Sequence, residues 1–187
     1  MILKEMLNLC KKKNTIIVEY YGERKFLSDG TTMMFIGNIA PDWTDEDCAV
    51  YLELTDEEKE CYTMEYSDDK DTCELETKGC IEADKLRFSL NADGMPMQPF
   101  RLTTGEVIFC DMQKLRIFRD ECPKMYYFKD GLVPKLYISV EQKIIGAVTP
   151  QRIDYNVMKD FCSSMLDGVR KSDERELLCA NTQMSLL

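Results

Sequence analysis

The sequence contains no histidine among its 187 residues. Histidine is the usual general base near neutral pH. Its absence excludes the Ser-His-Asp and Cys-His arrangements that activate a nucleophile. A lysine or a carboxylate remains able to act as a base, so the sequence excludes particular reaction classes rather than catalysis as a whole.

The sequence also lacks long apolar runs and clustered cysteines. No apolar stretch approaches the roughly 18 residues that span a bilayer. The nine cysteines are scattered, and Cys73 and Cys80 form the closest pair. A structural zinc site needs clustered ligands, so we expect no metal site and no cofactor. Residues 1–6 include an acidic residue and no cleavage site, so they predict a helix rather than a secretion signal. The lack of a secretion signal, together with thiols that we expect to be unpaired, indicates a cytoplasmic protein.

The composition is that of a folded protein. Hydrophobic residues make up 44% of the chain, which is ordinary for a globular protein. The length suits one substantial domain with a tail. We expect one α+β domain over residues 1–170, with an acidic and partly loop-forming segment at 42–80. Residues 171–187 are expected to form a flexible tail.

Hydrophobic periodicity predicts helices and short strands in alternating groups. Four segments have helical spacing or a helix-capping residue: 2–13, 44–54, 111–118 and 156–170. Nine segments have strand-like composition: 15–21, 25–27, 31–36, 61–66, 86–90, 106–109, 124–128, 136–140 and 143–148. Residues 91–99, with two prolines and a glycine, are predicted to be irregular. The order predicts an α+β fold of two units, each a helix followed by an antiparallel meander.

The negative charge is concentrated in one segment. Residues 42–76 hold 15 acidic and two basic residues, a net charge of −13, whereas the whole chain carries −10. Such a run is typical of a solvated face or a mobile loop. The alternative is a surface that repels nucleic acid or imitates its phosphates. Direct binding of nucleic acid is therefore not expected.

The last five residues form a short amphipathic peptide, which follows a polar stretch. They are Gln183, Met184, Ser185, Leu186 and Leu187. This peptide resembles the one by which bacterial polymerases and repair proteins dock on the replication sliding clamp. That peptide has glutamine, then leucine or methionine, serine or aspartate, leucine, and phenylalanine or leucine. The resemblance implies a clamp partner for these five residues. The alternative is that the three apolar side chains fold back onto the domain.

A second, weaker resemblance covers about a quarter of the chain. In residues 105–153 a strand runs into Asp111-Met112-Gln113-Lys114-Leu115, and a meander ends in Pro150-Gln151-Arg152-Ile153. This arrangement is similar to one domain of the bacterial sliding clamp and implies a clamp-domain-like fold. A clamp subunit has three such domains and basic inner helices, whereas this chain has length for one and a large acidic block.

Three functions follow from these features. The first is a non-enzymatic accessory protein of DNA replication or repair, or of a mobile element, that docks on the sliding clamp through residues 183–187. The second is a protein-binding module that uses the acidic segment 42–76 against a basic partner. The third is an enzyme with a carboxylate or lysine base, for which the sequence locates no catalytic residue.

Overall fold

The structure, a computed structural model, describes residues 2–67, 75–92, 94–119, 123–129, 133–151 and 153. The predicted helix 156–170 and the tail 171–187 lie outside these residues. The described part contains helices and a large, mostly antiparallel sheet, which confirms a mixed α+β fold. Strands make the larger contribution.

The first helix, α1 (Ile2–Lys13), forms where the sequence predicts it. Met6, Leu7 and Cys10 lie on one face of the helix and are fully buried. Three lysines fill its last turn, where the helix dipole favours positive charge. The apolar stripe and the charged end therefore both place α1 with its buried face on the sheet.

Three shorter helices follow, each capped by a polar side chain. They are α2 (Asp45–Tyr51), α3 (Asp56–Lys59) and α4 (Met112–Leu115), and α4 continues into the 3₁₀ turn Arg116–Phe118. Thr44 caps α2 in a reciprocal capping box with Asp47, as predicted. Asp111 caps α4 by accepting a hydrogen bond from the Gln113 amide at 2.8 Å, also as predicted. The helix α2 is shorter than the predicted segment 44–54, since it ends at Tyr51.

The sheet has eleven strands in the described part of the chain. They are β1 (Thr15–Tyr21), β2 (Arg24–Ser28), β3 (Thr32–Phe35), β4 (Thr63–Tyr66), β5 (Ile81–Lys85), β6 (Leu90–Ala92), β7 (Met95–Leu102), β8 (Val107–Asp111), β9 (Lys124–Phe128), β10 (Lys135–Val140) and β11 (Lys143–Val148). Their order across the sheet is β4-β1-β2-β3-β11-β10-β9-β5-β7-β6, and β8 pairs with β7. β4 pairs with β1 in parallel.

The two predicted meanders exist, but they belong to one sheet. β1, β2 and β3 form the first meander, and β9, β10 and β11 form the second. The third strands of the two meanders pair antiparallel, with Gly146 opposite Met34. The separate units expected from the sequence are thus joined through their last strands.

The region from residue 81 to 102 differs from the prediction. Residues 86–90 were predicted as a strand, but β5 ends at Lys85 and β6 begins at Leu90. The predicted irregular segment 91–99 instead contains most of β7. The buried Gln98 side chain accounts for the gap between β5 and β6, which both pair with β7. Its Nε2 donates to the carbonyl oxygens of Leu86 at 2.8 Å and Phe88 at 3.2 Å, so side-chain hydrogen bonds tie this gap to β7.

The two faces of the sheet are different. One face packs against α1 and α2 around a fully buried core that includes Ile16, Leu27 and Ile138. The opposite face carries a smaller cluster around Phe26 and Tyr137. Side chains alternate between the faces along each strand, so neighbouring residues of β2 contribute to different clusters.

Gly146 is required for the packing at the junction of the meanders. A Cβ atom at this position would overlap the Phe118 ring and lie 2.5 Å from the Met33 carbonyl oxygen. We predict that Gly146→Ala lowers the free energy of unfolding by about 1–3 kcal/mol, the usual cost of overpacking. Urea unfolding of the purified variant measures this loss. In a Phe118→Leu background the loss should be smaller, and an undiminished loss would show that the ring is not the constraint.

Candidate functional site

The five residues predicted to bind a partner, 183–187, lie outside the described residues, as do Asp68 to Glu74 of the acidic segment. The described chain nevertheless contains a site that the sequence did not suggest. It lies on the sheet face opposite α1, which we call the aromatic face. It is defined by six rings: Tyr21, Phe26, Phe35, Tyr126, Phe128 and Tyr137.

The rings of the aromatic face contact one another in pairs. Phe26 packs edge-on against Tyr21 and Phe35, with ring centroids 5.7 Å apart in each pair. Phe128 stacks on Tyr137 at 5.8 Å. Edge-to-face and offset-stacked pairs at these distances are the favoured arrangements of aromatic side chains. The rings therefore form a packed floor rather than independent surface residues.

Antiparallel pairing brings two turns to the same end of this face. The β1–β2 turn at residues 22–23 and the β10–β11 turn at residues 141–142 are separated across the sheet by one strand, β3. Because direction reverses at each antiparallel step, β2 and β11 both begin at that end, and β9 begins there as well. The first residues of these strands are Arg24, Lys143 and Lys124.

A cavity of about 1030 Å³ opens over this end of the aromatic face. The sheet forms its floor, and residues 75–78, which lead into β5, form one wall. Leu75 and Cys80 pack against the aromatic cluster and hold this wall in place. The volume is at the upper end of the range for small-molecule sites, roughly 300–1000 Å³.

The cavity is positively charged although the protein is acidic. Four basic side chains and two acidic ones line it: Arg24, Lys78, Lys124, Lys143, Glu76 and Glu141. Within the described part of the chain, no hydrogen bond or ion pair engages the ammonium groups of the three lysines. These groups are available to an anionic ligand.

Two of the lining side chains are held in fixed orientations. The Arg24 guanidinium lies over the Phe35 ring, 4.4 Å from its centroid, and over Phe26 at 5.4 Å. The Tyr21 hydroxyl donates a hydrogen bond to Glu19 Oε1 at 3.0 Å. Burial, together with the negative charge of Glu19, raises the pKa of Tyr21 well above its ordinary value. Tyr21 therefore remains a neutral ring, positioned at the cavity edge.

The sequence carries a weak signal for this site. Lys124, Tyr126 and Phe128 alternate with other residues along β9, and Arg24 and Phe26 do so along β2. Such alternation places basic and aromatic side chains on one face of a strand. The signal is not enough to identify a site, because it does not show which strands become neighbours.

Residues 42–67 of the acidic segment form a separate surface at the β4 edge of the sheet. α2 contacts β1 and β4, and α3 follows it closely in the chain. Both helices begin with three acidic residues, which suit the positive end of a helix dipole. Lys59, the one basic residue of this surface within the described residues, pairs with Glu46 at 2.8 Å.

A buried polar network joins the β2–β3 turn to α4. The Lys114 ammonium donates to Thr31 Oγ1 at 2.7 Å, and the Thr31 hydroxyl donates to Asp29 Oδ1 at 2.9 Å. The Thr31 and Thr32 amides donate to the same carboxylate oxygen. Burial lowers the pKa of Lys114, and the negative charge of Asp29 opposes this effect.

A lysine with a lowered pKa is a feature expected of a catalytic base. Lys114, however, is only 6% exposed, and its ammonium is already bound to Thr31 Oγ1, so the amine is not presented to a substrate. The network therefore fixes the β2–β3 turn.

Neither the thiols nor the carboxylates of the described residues form a metal site. No group of three or more potential ligands lies together in this part of the chain. Cys10, Cys48 and Cys110 are buried, and burial raises the pKa of Cys48 and of Cys110 to about 12. Such thiols remain protonated at neutral pH and act as small apolar side chains.

Comparisons with known proteins do not connect this site to a described activity. No protein-family model matches the chain, and searches of curated proteins and of solved structures found no match. Among the helices that the structure describes, none has both the length and the apolarity needed to cross a membrane. The chemistry of the site therefore has to be argued from its own residues.

The polar network makes a testable contribution to stability. We predict that Lys114→Met lowers the free energy of unfolding by about 1–3 kcal/mol, because buried partners lose their donor. The exposed Lys129→Met is the control and should change it by less than about 0.5 kcal/mol. Urea titrations of both variants measure the difference.

The same variants test the lowered pKa of the Lys114 side chain. Between that pKa and the ordinary lysine value of 10.5, the unfolded chain binds more protons at Lys114 than the native protein does. Stability of the wild type relative to Lys114→Met should therefore increase as the pH rises toward 10.5. A difference that is independent of pH would contradict the assignment.

Proposed function

We propose that this protein is a non-enzymatic, cytoplasmic accessory factor of DNA replication or repair, or of a mobile element, that docks on the bacterial sliding clamp. The observation that carries the proposal is the peptide Gln183-Met184-Ser185-Leu186-Leu187. It combines a hydrogen-bonding glutamine with three apolar side chains, the composition of a peptide that enters a pocket.

The energetics of such a peptide suit a transient contact. Each apolar side chain contributes at most about 1.5–3 kcal/mol when it is buried. Ordering the peptide and losing translational freedom oppose binding by several kcal/mol. The balance corresponds to a dissociation constant in the micromolar range, about −6 to −8 kcal/mol. An interaction of this strength raises the local concentration of the protein at a replication site.

A clamp-domain-like fold is the finer part of this proposal. Two features of the described chain support it: α1 precedes the meander β1–β3, and α4 precedes the meander β9–β11. The antiparallel pairing of β3 with β11 relates the two meanders as two halves of one domain would be related. α4 is a single turn, so the second half lacks a long helix.

Calorimetric titration of purified bacterial clamp tests the docking. The full chain should bind with micromolar affinity, and a chain truncated after Thr182 should give no heat of binding. Gln183→Ala should weaken binding by about tenfold, or 1.4 kcal/mol, because a hydrogen bond is lost. Asn181→Ala, outside the peptide, is the matched control. Equal signals from the full and truncated chains would end this proposal.

The acidic surface supports a second candidate function. According to this candidate, the protein is a binding module for a basic protein. The exposed carboxylates of α2, of α3 and of the rest of the acidic segment 42–76 recognise that partner. Lys59 is already paired with Glu46, so the described part of this surface presents mainly negative charge. Charge complementarity of this kind governs specificity and association rate.

Salt dependence separates this candidate from clamp docking. Binding of a lysine-rich peptide should weaken steeply between about 0.05 and 0.3 M salt, as the Debye length shortens. It should be unaffected by truncation after Thr182. Glu57→Gln with Glu60→Gln should weaken it, whereas Glu82→Gln with Glu106→Gln should not. Equal effects of the two pairs would mean that the acidic surface has no special role.

A further inference from the structure

We propose that the cavity on the aromatic face binds a nucleotide, either free or within a single strand. This site is independent of the clamp-docking peptide. Its ligand would place a phosphate among Arg24, Lys124 and Lys143 and a base against the Tyr126 or Tyr21 ring. Both groups of side chains line the same cavity.

The charge of the cavity identifies an anion as the ligand. Lys78, Lys124 and Lys143 make no ion pair with another described residue, while the protein as a whole carries a charge of −10. Basic groups gathered on one face create a local positive potential even in an acidic protein. The Arg24 guanidinium, stacked over the Phe35 ring, adds a further positive charge to the same cavity.

The aromatic floor narrows the class of anion. Tyr126 and Tyr21 are half-buried, so their rings are partly covered by the sheet and partly available to the cavity. A base stacked on an aromatic ring contributes substantially to binding and tolerates any sequence, since every base has a π face. The carboxylates of an acidic peptide pair with the lysines, but such a peptide has no planar base to stack on the rings. A phosphate joined to a planar base uses both.

The positions of these groups also suit a nucleotide. Lys124 and Tyr126 lie two residues apart on β9 and therefore point to the same face, roughly 6–7 Å apart along the strand. Their neighbours on β10 are Ser139 and Tyr137, and on the other side Glu82 of β5 is paired with Tyr126. A cation and a ring at this separation match a phosphate and a base of one nucleotide. The cavity has room for such a ligand and for its continuation as a strand.

Fluorescence anisotropy with a labelled oligothymidylate of roughly 8 nucleotides tests the site, since single-strand sites span about 4–16 nucleotides. The full chain should bind it, and the chain truncated after Thr182 should bind equally well. That equality separates this site from the docking peptide. Thymidine monophosphate distinguishes the sources: a monophosphate that binds as tightly as the oligomer indicates a free-nucleotide site, and an oligomer that binds much more tightly indicates a strand.

Matched lysine variants locate the binding. Lys124→Gln with Lys143→Gln should weaken binding by about tenfold and lower the salt slope by about 1.4, or about 0.7 for each lost phosphate contact. Lys4→Gln with Lys11→Gln removes the same charge from α1, on the opposite side of the sheet, and should change affinity by less than about twofold. All four lysines are exposed, so both variants should fold normally.

Ring variants test the stacking. Tyr126→Leu should weaken binding by about tenfold with an unchanged salt slope, and Tyr126→Phe should retain it, because the phosphate contacts remain and only the ring is lost in the first variant. Three results would overturn the proposal: no binding by the wild type, equal losses from the two lysine pairs, or equal binding of a polyglutamate peptide of the same charge.

Discussion

The antiparallel pairing of β3 with β11 is the constraint on which the rest of the molecule depends. Each meander alone has three strands, which is about the smallest sheet that is stable by itself when a hydrophobic face is packed. Joining them produces a continuous sheet that can be covered by α1 on one side. Gly146 allows this junction, because the Phe118 ring occupies the space that a side chain would take. The cavity exists only because the same pairing aligns two distant turns at one end of the sheet.

The parts of the fold that the sequence predicted are those with local causes. α1 follows from its apolar stripe and lysine-rich end, and α2 follows from the capping box of Thr44 and Asp47. β7 could not be predicted in the same way, since it contains two prolines. Its stability comes from pairing with β5, β6 and β8 and from the Gln98 side chain, which bonds to carbonyl groups 12 and 10 residues earlier in the chain. Those partners are not visible in a local pattern.

The candidate functional residues also divide into those that a local pattern indicates and those that only the fold brings together. The peptide 183–187 and the acidic block are each a continuous stretch of sequence, so composition alone indicates them. The cavity is assembled from residues between Tyr21 and Ile144, and its charge appears only when β2, β9 and β11 begin at a common end of the sheet. The chain-wide charge of −10 predicts against phosphate binding, whereas the local arrangement favours it. Average charge is a poor guide when basic side chains are gathered on one face.

The location of the acidic surface has a consequence for the behaviour of the chain with copies of itself. β4 is the outermost strand of the sheet within the described residues, and it has a partner on one side only, β1. An edge of this kind offers unpaired backbone groups to any similar strand of another molecule. The carboxylates of Glu65 and of the adjoining helices repel an identical, equally acidic edge. These charges thus oppose extension of the sheet by a second copy and the aggregation that would follow.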